Sequence, residues 1–206
     1  MKRFLDFIVS ALCLIVFSPL ILVCWLSIKL GGGPAIYKQE RIGLGGKPFY
    51  IYKFRSMVVD AEKEGEELLQ QDDDPRLTRI GRFLRTHHLD ELPQLWNVFV
   101  GDMAFVGPRP ERKYYIDQIL QRDSRYERLY SLRPGITSYA TLKNGYTDTI
   151  DKMLVRLEMD LYYLSISRCG RMPRFSGRRL RILSQARYFR YEKTARFIVY
   201  YLFIIN

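Results

Sequence analysis

The residues of this 206-residue chain best suited to chemistry lie between His87 and Pro110. Leu89-Asp90-Glu91-Leu92-Pro93-Gln94-Leu95-Trp96 sets two adjacent carboxylates ahead of an apolar stripe, and Val106-Gly107-Pro108-Arg109-Pro110 holds an arginine between prolines. One carboxylate can accept a phosphoryl group covalently, while a second holds a Mg²⁺ that bridges phosphate oxygens. Pro110 restricts Arg109 to extended conformations, which suits a stiffly held, bidentate phosphate contact. Arg85, five residues before Asp90, adds another guanidinium. The plainer alternative is that Asp90 only caps a helix. The spacing permits the chemistry without proving it.

The surrounding elements must position these groups. Leu92, Leu95, Trp96 and Phe99 fall at i, i+3, i+4, i+7, so a helix is expected that takes Pro93 in its first turn and stops at Gly101. Asp90 or Glu91 would then sit at the positive end of its dipole. Arg79, Arg82 and Arg85 make one basic face of the segment leading in. Residues 35–37 and 49–52 are β-prone and flank a turn at 43–48, hence a short hairpin, closed by Lys53-Phe54-Arg55-Ser56-Met57. Lys53 and Arg55 are either a solvated strand face or a contact to phosphate or lipid headgroups.

Residues 62–71 read as an acidic helix that ends at Asp72-Asp73-Asp74-Pro75, a run of like charges better explained as a solvated loop than as a metal site. His87-His88 lacks the i, i+4 pairing of a helical zinc motif. Beyond Pro110, residues 111–132 read as one amphipathic helix, Arg133-Pro134-Gly135 as a turn, 136–141 as a strand, Asn144-Gly145 as a turn and 147–164 as a final helix with Glu158 and Asp160. Acids at i, i+2 occupy different helix faces, so at most one of these two is expected to meet Asp90.

Residues 7–28 form a 22-residue run without a charge. That is long enough for a membrane helix of about 20 residues and exceeds the ~7–15-residue core of a cleaved signal. Lys2 and Arg3 precede the run and Lys29, Lys38 and Arg41 follow it, so both flanks look cytoplasmic, which a single straight crossing cannot satisfy. Ser18-Pro19 sits mid-run, where proline removes a backbone hydrogen bond. A bent, re-entrant helix that dips into one leaflet reconciles these features; a straight span with a proline kink is the alternative.

Composition bounds the rest. Apolar residues make up 48% of the chain, enough for a core. Residues 165–206 carry ten Lys and Arg against one acid, so +9 of the net +11 belongs to that segment and +2 to everything before it. The basic balance therefore does not make the body a nucleic-acid binder. Cys13, Cys24 and Cys169 fit neither a disulfide framework nor a metal site. The expected fold class is α+β and helix-dominated: a re-entrant membrane helix over 1–30, a small catalytic domain over 31–164 with short β-hairpins and interfacial amphipathic helices, and a basic tail over 165–206.

Taken in order, Ser18-Pro19, Tyr52-Lys53-Phe54-Arg55-Ser56-Met57, the Asp90-Glu91 block, Gly101-Asp102-Met103, the Arg109 block, Arg133-Pro134-Gly135-Ile136-Thr137 and Glu158-x-Asp160-x-Tyr162-Tyr163 cover roughly residues 1–164. This set resembles the monotopic phosphoglycosyl transferases, bacterial sugar transferases that start capsule, O-antigen and glycoprotein glycan assembly. The resemblance implies a monotopic enzyme of the bacterial inner membrane with its catalytic domain on the cytoplasmic face and Ser18-Pro19 as the membrane break. It implies that Asp90 is the nucleophile, that Glu91 binds Mg²⁺, and that Arg85, Arg109 and Arg133 neutralise phosphates or engage the uridine end. Lys53, Arg55, Glu158 and Asp160 join the substrate-binding set, Asp160 toward the second substrate. The implied partners are a UDP-sugar, polyprenyl phosphate and membrane lipid, with no nucleic acid; a homodimer stays open. After Leu164 the chain departs from the family pattern into an arginine-dense tail, either a lipid-binding segment or a frame-shifted end. Two rival classes are a Mg²⁺-dependent phosphohydrolase and a non-enzymatic, membrane-anchored protein that binds lipid or nucleic acid.

Overall fold

The structure, a computed structural model, describes residues 2–59, 61, 74–144 and 149–168. The expected acidic helix over 62–71, Asp72, Asp73, Gly145 and the tail from 169 onward lie outside the described residues. The long apolar run forms two helices, α1 (Lys2–Val16) and α2 (Ser18–Leu30), bent by 62°. Pro19 falls in the first turn of α2, where its missing N–H removes no intrahelical bond. Ser18 Oγ donates to the Ile15 carbonyl at 2.7 Å, so the break is satisfied from within. Among the described residues no single helix is long and apolar enough to cross a membrane. Leu12, Ile15, Val16, Leu22, Val23 and Leu30 nevertheless leave a large apolar surface exposed on this bent pair.

The other side of α1 faces protein, with Asp6 and Ser10 buried. It packs on α4 (Gln94–Val100), where Phe7 stacks on Phe99 at 4.9 Å. Arg3 donates to the Val98 and Phe99 carbonyls at 2.6 and 2.7 Å, so a side chain from α1 satisfies the open carbonyl end of α4. Gly101, at φ 102°, ends α4 as its sequence position suggests, in a conformation open to glycine.

The hairpin pairs β1 (Ile36–Ile42) with β2 (Pro48–Phe54), antiparallel, with Ile36 opposite Phe54 and Arg41 opposite Phe49. Asn97 is fully buried and completes the edge of β2: its Oδ1 accepts from Tyr52 N at 3.1 Å and its Nδ2 donates to Tyr50 O at 2.7 Å. One side chain thus stands in for a third strand and locks α4 to the hairpin. Phe54, Leu84, Leu95, Val98, Met103 and Phe105 form the core beneath, together with Cys24 and Ile28 of α2.

Several expectations are corrected. The proposed helix over 111–132 is α5 (Lys113–Arg122) followed by a 3₁₀ stretch (Ser124–Ser131), because Asp123 turns outward and its side chain accepts from Arg125 N. The proposed strand over 136–141 stops early: β4 is Gly135–Thr137, and α6 (Tyr139–Asn144) begins at once because Ser138 Oγ accepts from Thr141 N at 2.9 Å. β4 pairs in parallel with β3 (Ala104–Val106), so among the described residues there is one hairpin and one parallel pair rather than several hairpins. Asp74 is not solvated: it is buried and held bidentately by Arg76. The last helix, α7 (Ile150–Arg168), runs past Leu164. It packs with α5 and the 3₁₀ stretch around Ile116, Ile119, Tyr126, Met153 and Leu157.

Within this second core lies a charged group of three. Arg156 Nη2 donates to Glu111 Oε1 at 2.6 Å, both buried, and Asp160 is 3% exposed with its Oδ1 lacking a hydrogen-bond partner among the described residues. Burial pushes the Asp160 carboxyl up, Arg156 opposes and Glu111 adds, leaving it at about 7.

Two predictions follow from these packing relations. Asn97→Ala strips β2 of both edge partners and leaves a cavity, so it should destabilise the chain by about 2–4 kcal/mol in thermal or denaturant unfolding in detergent. Asp160 holds its proton more tightly folded than unfolded, so its contribution to stability falls as pH rises from about 4 through about 7. Asp160→Asn cannot ionise, and its melting temperature relative to the parent should climb across that window; a constant difference from pH 4 to 8 would refute the buried, protonated carboxyl.

Candidate active site

The two central carboxylates do not lie on α4. They occupy a 3₁₀ turn, Leu89–Glu91, between α3 (Arg79–Thr86) and α4, and Pro93 stands at the capping position rather than inside the helix. The chain enters this turn through His88 at φ 54°, a left-handed conformation that a non-glycine residue adopts at a cost. Asp90 is thus three residues short of the helix that was expected to stabilise it through its dipole. Cations take over that role.

Lys53 Nζ, on β2, donates to Glu91 Oε1 at 2.8 Å. Burial works against the Glu91 charge, but Lys53, Arg109 and the hydrogen bond from Lys53 outweigh it and hold the carboxyl well below its usual range. Asp90 is 7% exposed and accepts no hydrogen bond among the described residues. Burial and the neighbouring Glu91 charge raise its pKa, while Lys53, Arg85 and His88 oppose. Adjacent carboxyls are therefore driven apart, one firmly ionised and paired, the other desolvated and more basic. Such a pair suits a cation-binding or orienting carboxylate beside a nucleophile.

The structure brings Lys53, Arg85 and Arg109 to this pair. Arg85 Nε donates to Ser56 Oγ at 2.8 Å, and its charge acts on Asp90. Arg109, with Nε 4.0 Å from Glu111 Oε1, lines a small open cleft with Lys53, Glu91, Arg41, Gln94, Gly135 and Ile136. Arg55, Arg133, Glu158 and Asp160 are engaged elsewhere. Arg55 donates to the Gly32 carbonyl after α2; Arg133 Nε donates to the Gly101 carbonyl at 2.9 Å, beyond the end of α4; exposed Glu158 pairs with Arg125; Asp160 is buried beside Arg156. The two acids of α7 do occupy different faces, and only Asp160 faces inward.

No group of three or more His, Cys, Asp and Glu converges among the described residues. Of these residues, Glu91 is the one carboxylate that lines the cleft, and its Oε1 is taken by Lys53. Arg41 and Gln94 were missed as cleft residues. The hairpin register contained the signal for Arg41: residues 37, 39 and 41 share a face with 49, 51 and 53, so Arg41 belongs with Lys53.

The bacterial sugar transferase family matches residues 1–169. The chain is 40% identical over 164 residues to the UDP-N-acetylgalactosamine-undecaprenyl-phosphate N-acetylgalactosaminephosphotransferase of Aeromonas hydrophila, covering 79% of this chain and 38% of the relative. It is 42% identical over 166 residues to a UDP-glucose:undecaprenyl-phosphate glucose-1-phosphate transferase of Klebsiella pneumoniae (79% and 36%) and 43% identical over 167 residues to one of Caulobacter vibrioides (79% and 62%). The chain thus spans between about a third and three fifths of the length of these relatives. With the family matched over four fifths of its length and the paired carboxylates set among cations, this chain belongs to the bacterial sugar transferases.

Proposed function

We propose that this protein transfers a sugar 1-phosphate from a UDP-sugar to polyprenyl phosphate through a covalent intermediate on Asp90. The observation that carries this reading is the state of Asp90: desolvated, with no hydrogen bond to its carboxyl among the described residues, and in the field of Lys53, Arg85 and His88. A carboxylate held in this way keeps its nucleophilicity, and its cationic surroundings draw in a phosphate. An Asp90 oxygen attacks the β-phosphorus of the UDP-sugar; the bond from that phosphorus to the bridging oxygen breaks and UMP leaves. An oxygen of polyprenyl phosphate then attacks the same phosphorus, displacing Asp90 as a free carboxylate and forming a diphosphate-linked sugar lipid. Lys53 and Arg109 neutralise phosphate charge, and the charge of Arg85 favours the ionised form of Asp90. Mg²⁺ bound through Glu91 would supply further charge neutralisation.

Placement follows from the same chemistry. A polyprenyl acceptor stays in the bilayer, so the site must meet the interface. The bent pair α1–α2, with its exposed apolar surface and basic flanks on both sides, reads as a re-entrant element in the cytoplasmic leaflet of the bacterial inner membrane, and residues 31–164 as the catalytic part on that face. Arg55 and Arg133, bonded to the carbonyls of Gly32 and Gly101, hold the segments that join membrane element and cleft.

Asp90→Asn should lower UMP release from UDP-sugar by about 10³-fold or more and abolish the sugar-phosphoryl adduct that mass spectrometry finds on the parent. Release of sugar phosphate to water without polyprenyl phosphate would instead establish a phosphohydrolase. The acid limb of the first half-reaction should move in opposite directions in two variants. Lys53→Met removes a charge that lowers the Asp90 pKa, so the limb shifts to higher pH; Glu91→Gln removes one that raises it, so the limb shifts to lower pH. A common direction would remove Asp90 from the role of ionised nucleophile.

A further inference from the structure

The cleft beside Asp90 holds more positive charge than its own carboxylates balance. Glu91 engages Lys53 at 2.8 Å, and Glu111 is shared among Arg156 at 2.6 Å, Arg41 at 3.8 Å and Arg109 at 4.0 Å. Three cations, Arg41, Lys53 and Arg109, line the cleft against one lining carboxylate, Glu91, while Glu111 behind them is shared with the buried Arg156. Arg41 registers this excess: burial, Arg109 and Arg112 push its guanidinium down to about 10 despite Glu111.

A second observation is independent of charge. Two donors that belong to residues lining this cleft are buried without an acceptor among the described residues, Arg41 Nε in a side chain 17% exposed and Gln94 Nε2 in a residue 2% exposed. Buried N–H groups are nearly always paired, and an orphan in a native structure calls for a reason. Arg41 is fixed from its other side, since its Nη1 donates to the Pro110 carbonyl at 3.3 Å and its Nη2 to Gln39. Gln94 is fixed by its place at the start of α4, immediately after the turn that carries Glu91. Two unpaired donors from β1 and α4 and a mostly cationic lining describe a receptor for a tetrahedral oxyanion.

We propose that Arg41 and Gln94, with Arg109, form a phosphate subsite that grips non-reacting phosphate oxygens while Asp90 acts on the neighbouring phosphorus. The proposal rests on the transferase reading and deepens it: the bound group is either the nucleotide phosphate of the donor or the phosphate of the lipid acceptor. Arg41 and Gln94 supply donors to its oxygens. Lys53 and Glu91 close the side toward the reacting centre.

The test uses the full chain in phosphatidylethanolamine–phosphatidylglycerol nanodiscs, with UDP as the binding probe and with separate donor and acceptor kinetics. Arg41→Gln and Gln94→Glu should each weaken UDP binding, or raise the KM for polyprenyl phosphate, by about tenfold or more, the loss expected for one charge-assisted hydrogen bond, while kcat changes by less than about threefold. Arg41→Lys should recover part of the loss. A UDP effect assigns the subsite to the donor and a polyprenyl phosphate effect to the acceptor; wild-type constants for both substrates in both variants overturn the proposal. Should the variants fail to fold, hydrogen–deuterium exchange on the unaltered chain decides: saturating UDP or polyprenyl phosphate should protect residues 36–42 and 94–100, and protection by neither overturns it. A chain that binds UDP through Arg41 and Gln94 yet transfers nothing to polyprenyl phosphate refutes the transferase reading and leaves the subsite standing. One that transfers normally with both variants unaffected does the reverse.

Discussion

Two adjacent carboxyl groups cannot both be buried and charged unless cations hold at least one of them, and the arrangement of this protein follows from that constraint. Lys53 reaches from the hairpin to Glu91 and fixes it as the ionised member. Asp90 is left in a desolvated position where ionisation is harder and the carboxylate, once formed, is more basic. The division depends on geometry rather than on residue type. It requires a β-strand, a left-handed residue and a 3₁₀ turn to meet within a few ångströms.

Those parts are held from two directions. Asn97 bonds the backbone of β2, so the strand that presents Lys53 cannot slide along α4. Arg3 bonds the far end of α4 from α1, so the bent apolar helix pair and the cleft share one frame. Such a coupling keeps the spacing between the helix pair and the carboxylate turn fixed. The core runs without interruption from Cys24 and Ile28 of α2 to Leu84 and Val98 beside the site.

Much of this was legible in the residues alone. The paired carboxylates, the Pro-Arg-Pro block and the Ser-Pro break each follow from local chemistry, and the hairpin and the glycine that ends α4 follow from periodicity and backbone preference. What misled was also local. Asp123 and Ser138 are polar residues inside helix-like or strand-like stretches, and each redirected the backbone through a side-chain hydrogen bond that periodicity does not register. The expected dipole stabilisation of Asp90 failed for a similar reason, since His88 inserts a 3₁₀ turn before the helix begins.

The sequence by itself determined the types of group available, the apolar run and the elements near in chain position, because helix, turn and strand preferences act over a few residues. Only the tertiary structure decided which charges meet. Lys53 and Glu91 are 38 positions apart, Arg156 and Glu111 are 45 apart, and Arg41 joins the cleft through strand register. Arg55 and Arg133, equally eligible by type, turn to backbone carbonyls instead. Coulomb energies and burial depend on distance through the folded chain, so residue identity leaves both open until the core has closed around them.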